Sequence, residues 1–249
     1  MYHFFVATSQ IADGYAVITG QDVNHIRNVL RMKAGEKIGV RDGISRNYIC
    51  ELETMEPEFV RARILSEETD SSELSARLYL FQGLPKGDKM ELIIQKAVEL
   101  GAYEIVPVMT KRAVVKLDEK KAVKKVQRWN AIAEGAAKQS GRSLVPAVHA
   151  VMSYAEALSY AQKLDVLLIP YEKAKGMEVT RQAMESVLTG QSVGIFIGPE
   201  GGFEETEIMQ AQKCGALPVS LGKRILRTET AGIVVLSILM YQLECNDLL

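Results

Sequence analysis

Two segments late in the sequence combine residue types that suit ligand binding. The first, Gly198-Pro-Glu-Gly-Gly202, is rich in glycine, so its backbone can adopt angles closed to other residues and let a ligand approach closely. The second, Leu221 to Ala231, places Arg224 and Arg227 just before the predicted start of a helix. Arginines in such a position suit an anionic substrate such as an RNA phosphate.

Known fingerprints narrow the chemistry of these segments. Neither has the spacing G-x-x-x-x-G-K-[ST] of a Walker A loop or G-x-G-x-x-G of a Rossmann turn, so no phosphate loop is predicted. Two structural interpretations stay open: a tight turn for the glycine segment, and a helix capped by Thr228 with solvated cations for the arginine segment. Cys50, Cys214 and Cys245 form no C-x-x-C pair, which indicates reduced thiols and neither a zinc site nor a disulfide framework.

The composition is that of a soluble globular protein. Of the 249 residues, 47% are hydrophobic and 24% are charged. We see no secretory signal in Met1 to Gln10. The apolar run Ala231 to Leu243 is shorter than the roughly 20 residues that cross a bilayer. We therefore expect a cytoplasmic protein and assign that run to a core or interface helix.

Charge is segregated along the chain, although the formal net charge is only -1. Val23 to Tyr48 holds six basic and two acidic residues, and Met109 to Arg142 holds ten basic and three acidic ones. One such block is usually a solvated helix face. Two separate blocks favour a polyanionic partner.

The pattern of elements changes near residue 70. Before it, short β-type runs separated by turn signals predict a small β-barrel with one helix, Val23 to Leu30. The predicted strands are His3 to Thr8, Tyr15 to Thr19, Lys37 to Arg41, Arg46 to Leu52 and Phe59 to Leu65. The polar segment Ser66 to Ser75 is the candidate linker. After it, strands and helices alternate, which predicts an α/β domain with helices on both faces of a parallel sheet.

In an open α/β sheet, ligands bind beyond the carboxyl ends of the strands. The predicted strands that end at Ile169, Ile197 and Ser220 are each followed by a loop. Two of these loops are the glycine and arginine segments. The sequence therefore predicts one binding site where the three loops meet.

An ordered set of motifs is recognisable. Ile197 to Phe203 and Leu221 to Ala231 resemble the ribosomal RNA uridine N3-methyltransferase family of the RsmE type, and the resemblance covers the whole chain. The further matching segments are Asn24 to Arg31, Leu84 to Gly87, Gln95 to Gly101, Arg128-Trp129, and Gln139 to Arg142 before Pro146. One departure is Asn24, which precedes His25 where the family often has two adjacent histidines.

The resemblance implies an architecture and an activity. Residues 1–72 would form a PUA-like RNA-binding β-barrel, and residues 73–249 a SPOUT methyltransferase domain, an α/β fold whose parallel sheet contains a deep trefoil knot. The enzyme would be a cytoplasmic homodimer in which the partner subunit completes each active site. It would use S-adenosylmethionine, without a metal, to methylate N3 of a uridine in 16S ribosomal RNA of the small ribosomal subunit.

The same resemblance implies roles for individual residues. The cofactor would lie against Leu168, Ile169, Pro170, Gly198, Pro199, Glu200, Gly201, Gly202, Leu221, Gly222, Arg224, Ile225 and Leu226. Arg227 would stabilise negative charge on the uracil ring, and Glu229 would accept the N3 proton or orient the arginine. The candidate RNA contacts are His25, Arg27, Arg31, Lys33, Lys86, Arg112 and Arg142.

Three other functions stay open at this point. A SPOUT ribose 2'-O-methyltransferase acting on transfer or ribosomal RNA would share the same loops. A noncatalytic RNA-binding module or assembly factor would keep the fold without binding the cofactor. A nucleotide-dependent α/β enzyme is disfavoured because the phosphate fingerprints are absent.

Overall fold

The computed structural model describes residues 1–44, 46–68, 72–115, 117–174 and 176–246. The chain divides into two compact units. The first comprises Met1–Glu73 together with Ala137–Val145, and the second comprises Leu74–Ala136 and Pro146–Leu249.

The first unit is built on a six-stranded sheet. Its strands are β1 (His3–Phe5), β2 (Ile11–Ala12), β3 (Tyr15–Thr19), β4 (Lys37–Arg41), β5 (Asn47–Met55) and β6 (Phe59–Glu68). They follow the order β1-β4-β5-β6-β3-β2; β1 pairs with β4 in parallel, and the other pairs are antiparallel. The predicted small β domain is confirmed. Among the described residues the pairings trace an open path from β1 to β2.

One face of this sheet buries an apolar core under a short helical segment. Helix α1 (Gln21–Asn24) continues into a π-helical turn, His25–Val29, where the sequence predicts one helix from Val23 to Leu30. The turn buries Ile26 completely, and Ile38 and Leu52 lie in the same core. This packing leaves the charged side of the turn exposed.

Residues 137–145 complete the first unit with hydrogen bonds from far along the chain. Arg41 Nη1 donates to the carbonyl oxygen of Arg142 over 2.8 Å, and Asn47 Nδ2 donates to Ser143 Oγ over 2.7 Å. The Glu73 carboxylate accepts from the backbone N–H of Ser143 over 2.9 Å and pairs with the guanidinium of Arg142. No sequence pattern predicts this return of the chain.

The second unit is built on a seven-stranded parallel sheet. Its strands are β7 (Arg77–Gly83), β8 (Ala102–Met109), β9 (Ala147–Val148), β10 (Met152–Ser153), β11 (Val166–Pro170), β12 (Ser192–Ile197) and β13 (Leu217–Val219). The order is β10-β8-β7-β12-β11-β13, with β9 also on β8, and the pairings among the described residues are parallel. Every residue of β12 is buried, as expected for a central strand covered on both faces.

Helices connect these strands and cover the sheet. They are α2 (Lys89–Glu99), α3 (Glu119–Ser140), α4 (Tyr154–Ala161), α5 (Met177–Glu185), α6 (Glu205–Lys213) and α7 (Thr228–Asn246). The rings of Phe81 and Phe196, from neighbouring strands, stack at a centroid distance of 4.4 Å in the core. Burying two such side chains stabilises the fold by about 1.5–3 kcal/mol each. The predicted α/β class with a parallel sheet is confirmed.

The element bounds depart from the predictions in a few places. The strand predicted from His3 to Thr8 ends at Phe5, because Thr8–Gln10 form a 3-10 turn. The candidate linker is strand up to Glu68, and residues 69–71 lie outside the described residues. In the described part of the chain, no helix is long and apolar enough to cross a membrane.

Candidate functional site

A cavity of about 490 Å³ lies at the carboxyl edge of the parallel sheet. Its walls come from the residues that follow β11, β12 and β13 and from the first turn of α7. This is the site that the strand order predicts. The lining residues are Lys89, Pro170, Tyr171, Glu172, Ile197, Gly198, Pro199, Glu200, Gly201, Gly202, Phe203, Ser220, Leu221, Gly222, Arg224, Ile225, Leu226, Arg227, Thr228 and Ala231.

The glycine loop, Gly198–Gly202, is folded tightly enough to require its glycines. A Cβ atom on Gly198 would lie 3.1 Å from the backbone of Gly202, and Gly202 itself has φ +65°. The N–H of Gly202 donates to the carbonyl oxygen of Pro199 over 2.8 Å, which closes the turn. A larger residue at Gly198 would press on the backbone of Gly202, and one at Gly202 would be strained by its positive φ.

The arginine turn, Leu221–Arg227, is anchored where β13 ends. Thr180 Oγ1 donates to the carbonyl oxygen of Ser220 over 3.1 Å and accepts from its N–H over 2.9 Å. Gly222 then reverses the chain with φ +104°. Beyond it Arg224 and Arg227 are exposed at the cavity. The turn therefore presents two cations on a backbone fixed at its start.

Thr228 ties the arginine turn to the glycine loop. Its hydroxyl donates to the carbonyl oxygen of Gly198 over 2.6 Å and accepts from Nε2 of Gln82 over 2.9 Å. Gln82 is fully buried and Thr228 is 5% exposed. The prediction that Thr228 is the N-cap is wrong: it is the first residue of α7, and its hydroxyl joins two other elements instead.

Lys89 forms a second bridge between the same elements on the cavity side. Its Nζ lies 2.9 Å from Glu200 Oε1 in the glycine loop and 3.5 Å from Glu229 Oε2 in α7. The hydrogen bond to Glu200 raises the pKa of Lys89. Burial raises the pKa of Glu200, but hydrogen bonds from Lys89 and from backbone N–H groups outweigh it, so that pKa is lowered. Both groups are therefore charged at neutral pH.

Two further cations pack on the glycine loop. Arg112 Nη1 donates to the carbonyl oxygen of Gly201 over 3.0 Å, and the backbone N–H of Lys86 donates to Glu200 Oε1 over 3.1 Å. Both side chains are exposed. Arg112 and Lys86 therefore place two exposed cations beside the glycine loop.

The comparison with protein families decides what kind of domain this cavity belongs to. Residues 72–240 match the family model described as RNA methyltransferase domain, and residues 18–65 match RNA methyltransferase PUA domain. The chain is 41% identical over 232 residues to ribosomal RNA small subunit methyltransferase E of Bacillus subtilis, covering 91% of this chain and 90% of that protein. The chain belongs to the ribosomal RNA small subunit methyltransferase E family.

Two solved structures of methyltransferases are similar to this chain in sequence and in fold. Ribosomal RNA small subunit methyltransferase E from Neisseria gonorrhoeae, bound to S-adenosylmethionine, is 32% identical with a TM-score of 0.83 and covers 97% of both chains. A methyltransferase from Legionella pneumophila, in complex with the same cofactor, is 31% identical with a TM-score of 0.81 and covers 96% of both chains. The predicted family is confirmed.

The structure of this family member brings most of the predicted cofactor residues together. Eleven of the thirteen line the cavity, from Pro170 through the glycine loop to Leu226. Leu168 and Ile169 do not line it, because both are fully buried inside β11. Of the two predicted catalytic residues, Arg227 lines the cavity, whereas Glu229 lies behind it and approaches Lys89.

The residues predicted to contact RNA differ in how exposed they are. His25, Arg31 and Lys33 are exposed in the first unit and Arg27 is partly exposed there. Arg142 is a correction: it is 3% exposed, and its guanidinium pairs with Glu73. Because a buried, paired guanidinium is not available to a phosphate, we withdraw Arg142 from the set.

Sequence reasoning missed three residues that the structure places at or directly behind the cavity of this methyltransferase family member. They are Lys89, Gln82 and Glu172. The rule that directs attention to the carboxyl ends of parallel strands applies to β7 as much as to β12. Applied there, it would have pointed to Gln82 and to the start of α2, where Lys89 lies.

Proposed function

We propose that this protein uses S-adenosylmethionine to methylate N3 of a uridine in 16S ribosomal RNA, within the small ribosomal subunit. The observation that carries the proposal is the convergence of the glycine loop and the arginine turn on one cavity in a member of this family. The relatives named above, and the cofactor bound to two of them, support the same activity.

The cavity residues suit this cofactor in size and chemistry. A volume of about 490 Å³ lies within the roughly 300–1,000 Å³ of small-molecule sites. Apolar side chains of Ile197 and Leu226 offer a surface to an adenine ring, and the carboxylate of Glu172 favours a cationic ligand. When bound, the cofactor supplies an electrophilic methyl group.

The protein must make uracil N3 a nucleophile. N3 carries a proton at neutral pH, so its loss leaves negative charge on the ring. Arg227, exposed at the cavity, is placed to stabilise that charge. We propose that Glu229, whose carboxylate lies 3.5 Å from Lys89 Nζ, accepts that proton or orients Arg227.

The target must be unpaired when it reacts. N3 lies on the pairing edge of uracil, so the nucleotide has to be single-stranded or flipped out. We propose phosphate contacts for His25, Arg27, Arg31 and Lys33 in residues 1–72, and for Lys86 and Arg112 in residues 73–249. We further propose the trefoil knot, a cytoplasmic location, and a homodimer in which each site is completed by the partner subunit.

Arg227→Ala tests the catalytic assignment. We expect turnover to fall by at least about a hundredfold, the range for loss of one oxyanion-stabilising donor. Cofactor affinity, measured by calorimetry, should stay within a few-fold. Lys213→Ala, an exposed cation at the end of α6, is the control and should retain full turnover. Wild-type turnover in Arg227→Ala would discard the role.

The activity itself is tested with methyl-labelled cofactor. The protein is incubated with small ribosomal subunits that lack their own modification, and the RNA is digested to nucleosides. Recovery of labelled N3-methyluridine supports the proposal. Label on ribose would favour a 2'-O-methyltransferase, and cofactor binding without any label would overturn the choice of substrate.

A further inference from the structure

The first half of α3 presents a dense cationic face in the second unit. Lys120, Lys121, Lys124 and Arg128 are exposed, and Lys125 lies partly over the ring of Trp129 at 5.8 Å. None of these five residues belongs to the cavity or to the predicted RNA contacts. We call this set the α3 face.

The spacing of the cations within the α3 face destabilises the helix. Lys120 and Lys124, Lys121 and Lys125, and Lys124 and Arg128 are each four residues apart, so like charges lie one turn apart and repel. Within the described residues, neither Lys120 nor Lys124 has a carboxylate within 4 Å. A helix face kept only for solubility would intersperse acids among these cations.

The α3 face is joined to α2, the helix that begins at the cavity. Arg128 donates from Nε and Nη2 to the two carboxylate oxygens of Glu91, each over 2.8 Å. Glu91 is in the first turn of α2, two residues after Lys89, which lines the cavity. The first half of α3 is therefore joined to the helix whose first residue, Lys89, lines the cavity.

We infer that the α3 face binds the phosphate backbone of the ribosomal RNA next to the modified nucleotide. The inference rests on the proposed function, because a cavity that admits one nucleotide requires the flanking strand to pass beside it. Lys120 and Lys124 suit phosphates, because an exposed ammonium group binds a phosphate as a point charge and needs no fixed hydrogen-bonding geometry. An acidic protein surface is the rival partner, but flipping a base needs a hold on the RNA itself.

The test is a double charge reversal, Lys120→Glu with Lys124→Glu. Binding to protein-free small-subunit RNA should weaken by about tenfold or more at low salt, and the slope of log affinity against log salt should fall by about one to two. Cofactor affinity and turnover at saturating RNA should not change. Thermal unfolding verifies that the variant is folded, which we expect because Lys124→Glu turns a repulsive pair with Arg128 into an attractive one.

The matched control is Lys163→Glu with Lys213→Glu. Both lysines are exposed in the same unit but lie just before β11 and β13, at the edge of the sheet opposite the cavity. This control makes the same change in net charge and should leave RNA affinity and salt slope close to wild type. Equal losses in both doubles would show a general charge effect and overturn the inference.

The remaining outcomes separate the inference from the proposed function. Wild-type RNA binding by the α3 double variant overturns the inference even if the protein methylates uridine. Loss of binding to assembled subunits alone, with normal binding to free RNA, would identify a protein partner and also overturn it. If the wild type makes no N3-methyluridine yet the α3 variant loses RNA affinity, the proposed function fails and the RNA contact stands.

Discussion

The hydroxyl of Thr228 joins three parts of the site, because it contacts Gln82 in β7 and Gly198 in the glycine loop while it begins α7. The preceding residue is Arg227. Any movement of this hydroxyl therefore moves the arginine relative to the loop that we assign to the cofactor. Thr228 is a positioning residue in this arrangement, since it acts through its neighbours.

Thr228→Val removes the hydroxyl at nearly constant volume. We expect the free energy of unfolding to fall by about 1–3 kcal/mol, because the Gln82 amide and the Gly198 carbonyl lose a buried partner. Turnover should fall more than cofactor affinity, and denaturant unfolding with steady-state kinetics measures both. Thr228→Ser should restore turnover; failure of serine to do so would show that the methyl group, and not the hydroxyl, matters.

The ion pair between Lys89 and Glu200 should determine the lowest pH at which the site binds the cofactor. The pKa of Glu200 is lowered in the folded protein, so its ionised form contributes stability above the unfolded pKa and loses that contribution as pH falls through the folded pKa. Lys89→Met removes one of the hydrogen bonds that lower the pKa of Glu200. Cofactor binding, titrated from about pH 3 to 7, should therefore fail at a higher pH in this variant.

Lys96→Met is the control for Lys89→Met. Lys96 also lies in α2 and forms an ion pair with Glu99 over 2.7 Å, at the end of the helix away from the cavity. Its loss should leave the acid limit of cofactor binding unchanged. An equal shift in both variants would trace the effect to the helix and not to the site.

At the scale of elements, the glycine loop depends on close backbone contact. Gly198→Ala would bring a Cβ atom to 3.1 Å from Gly202, and since that neighbour is backbone, the loop must open. We expect cofactor affinity to fall by about tenfold or more, measured by calorimetry. Gly135→Ala is the control: it lies in α3 with open space around it and should stabilise the helix by about 0.5–1 kcal/mol.

The sequence predicts helices and strands well wherever apolar residues recur at a regular spacing. Strands Tyr15–Thr19 and Lys37–Arg41 have the predicted bounds. The strands Ala147–Val148 and Met152–Ser153 were not predicted, because two residues carry no period and only pairing with β8 defines them.

The residues of the candidate site also differ in whether the sequence predicts them. Its loops are predictable because glycine and arginine positions follow strands in sequence. Gln82 and Lys89 are not, because their roles come from contacts with residues more than a hundred positions away. The burial of Arg142 has the same origin, since its partner Glu73 lies 69 positions earlier.

At the scale of the whole molecule, the apolar character of α7 supports the proposed homodimer. Residues 231–241 of the helix are apolar apart from Ser237, yet Tyr241 is 70% exposed and Ile238 is 41% exposed. A helix of this kind is normally covered. Tyr241→Glu should therefore convert dimer to monomer and lower turnover, with sedimentation velocity as the measurement.

Met209→Glu provides the comparison for Tyr241→Glu. Met209 is 50% exposed on α6, so the substitution introduces the same charge on another apolar surface residue. It should leave the sedimentation coefficient unchanged. A wild-type protein that sediments as a monomer at micromolar concentration would overturn the homodimer.

Because residues 137–145 belong to the first unit, that unit cannot be completed until they have been synthesised. Arg41, Asn47 and Glu73 have partners among Arg142, Ser143 and Leu144, so the first unit lacks these bonds until the ribosome has passed Val145. At about 5–20 residues per second, the 72 residues from Glu73 to Val145 take roughly 4–14 s to synthesise. During that interval the first sheet lacks these hydrogen bonds, and we expect chaperones to bind the nascent chain in this incomplete state.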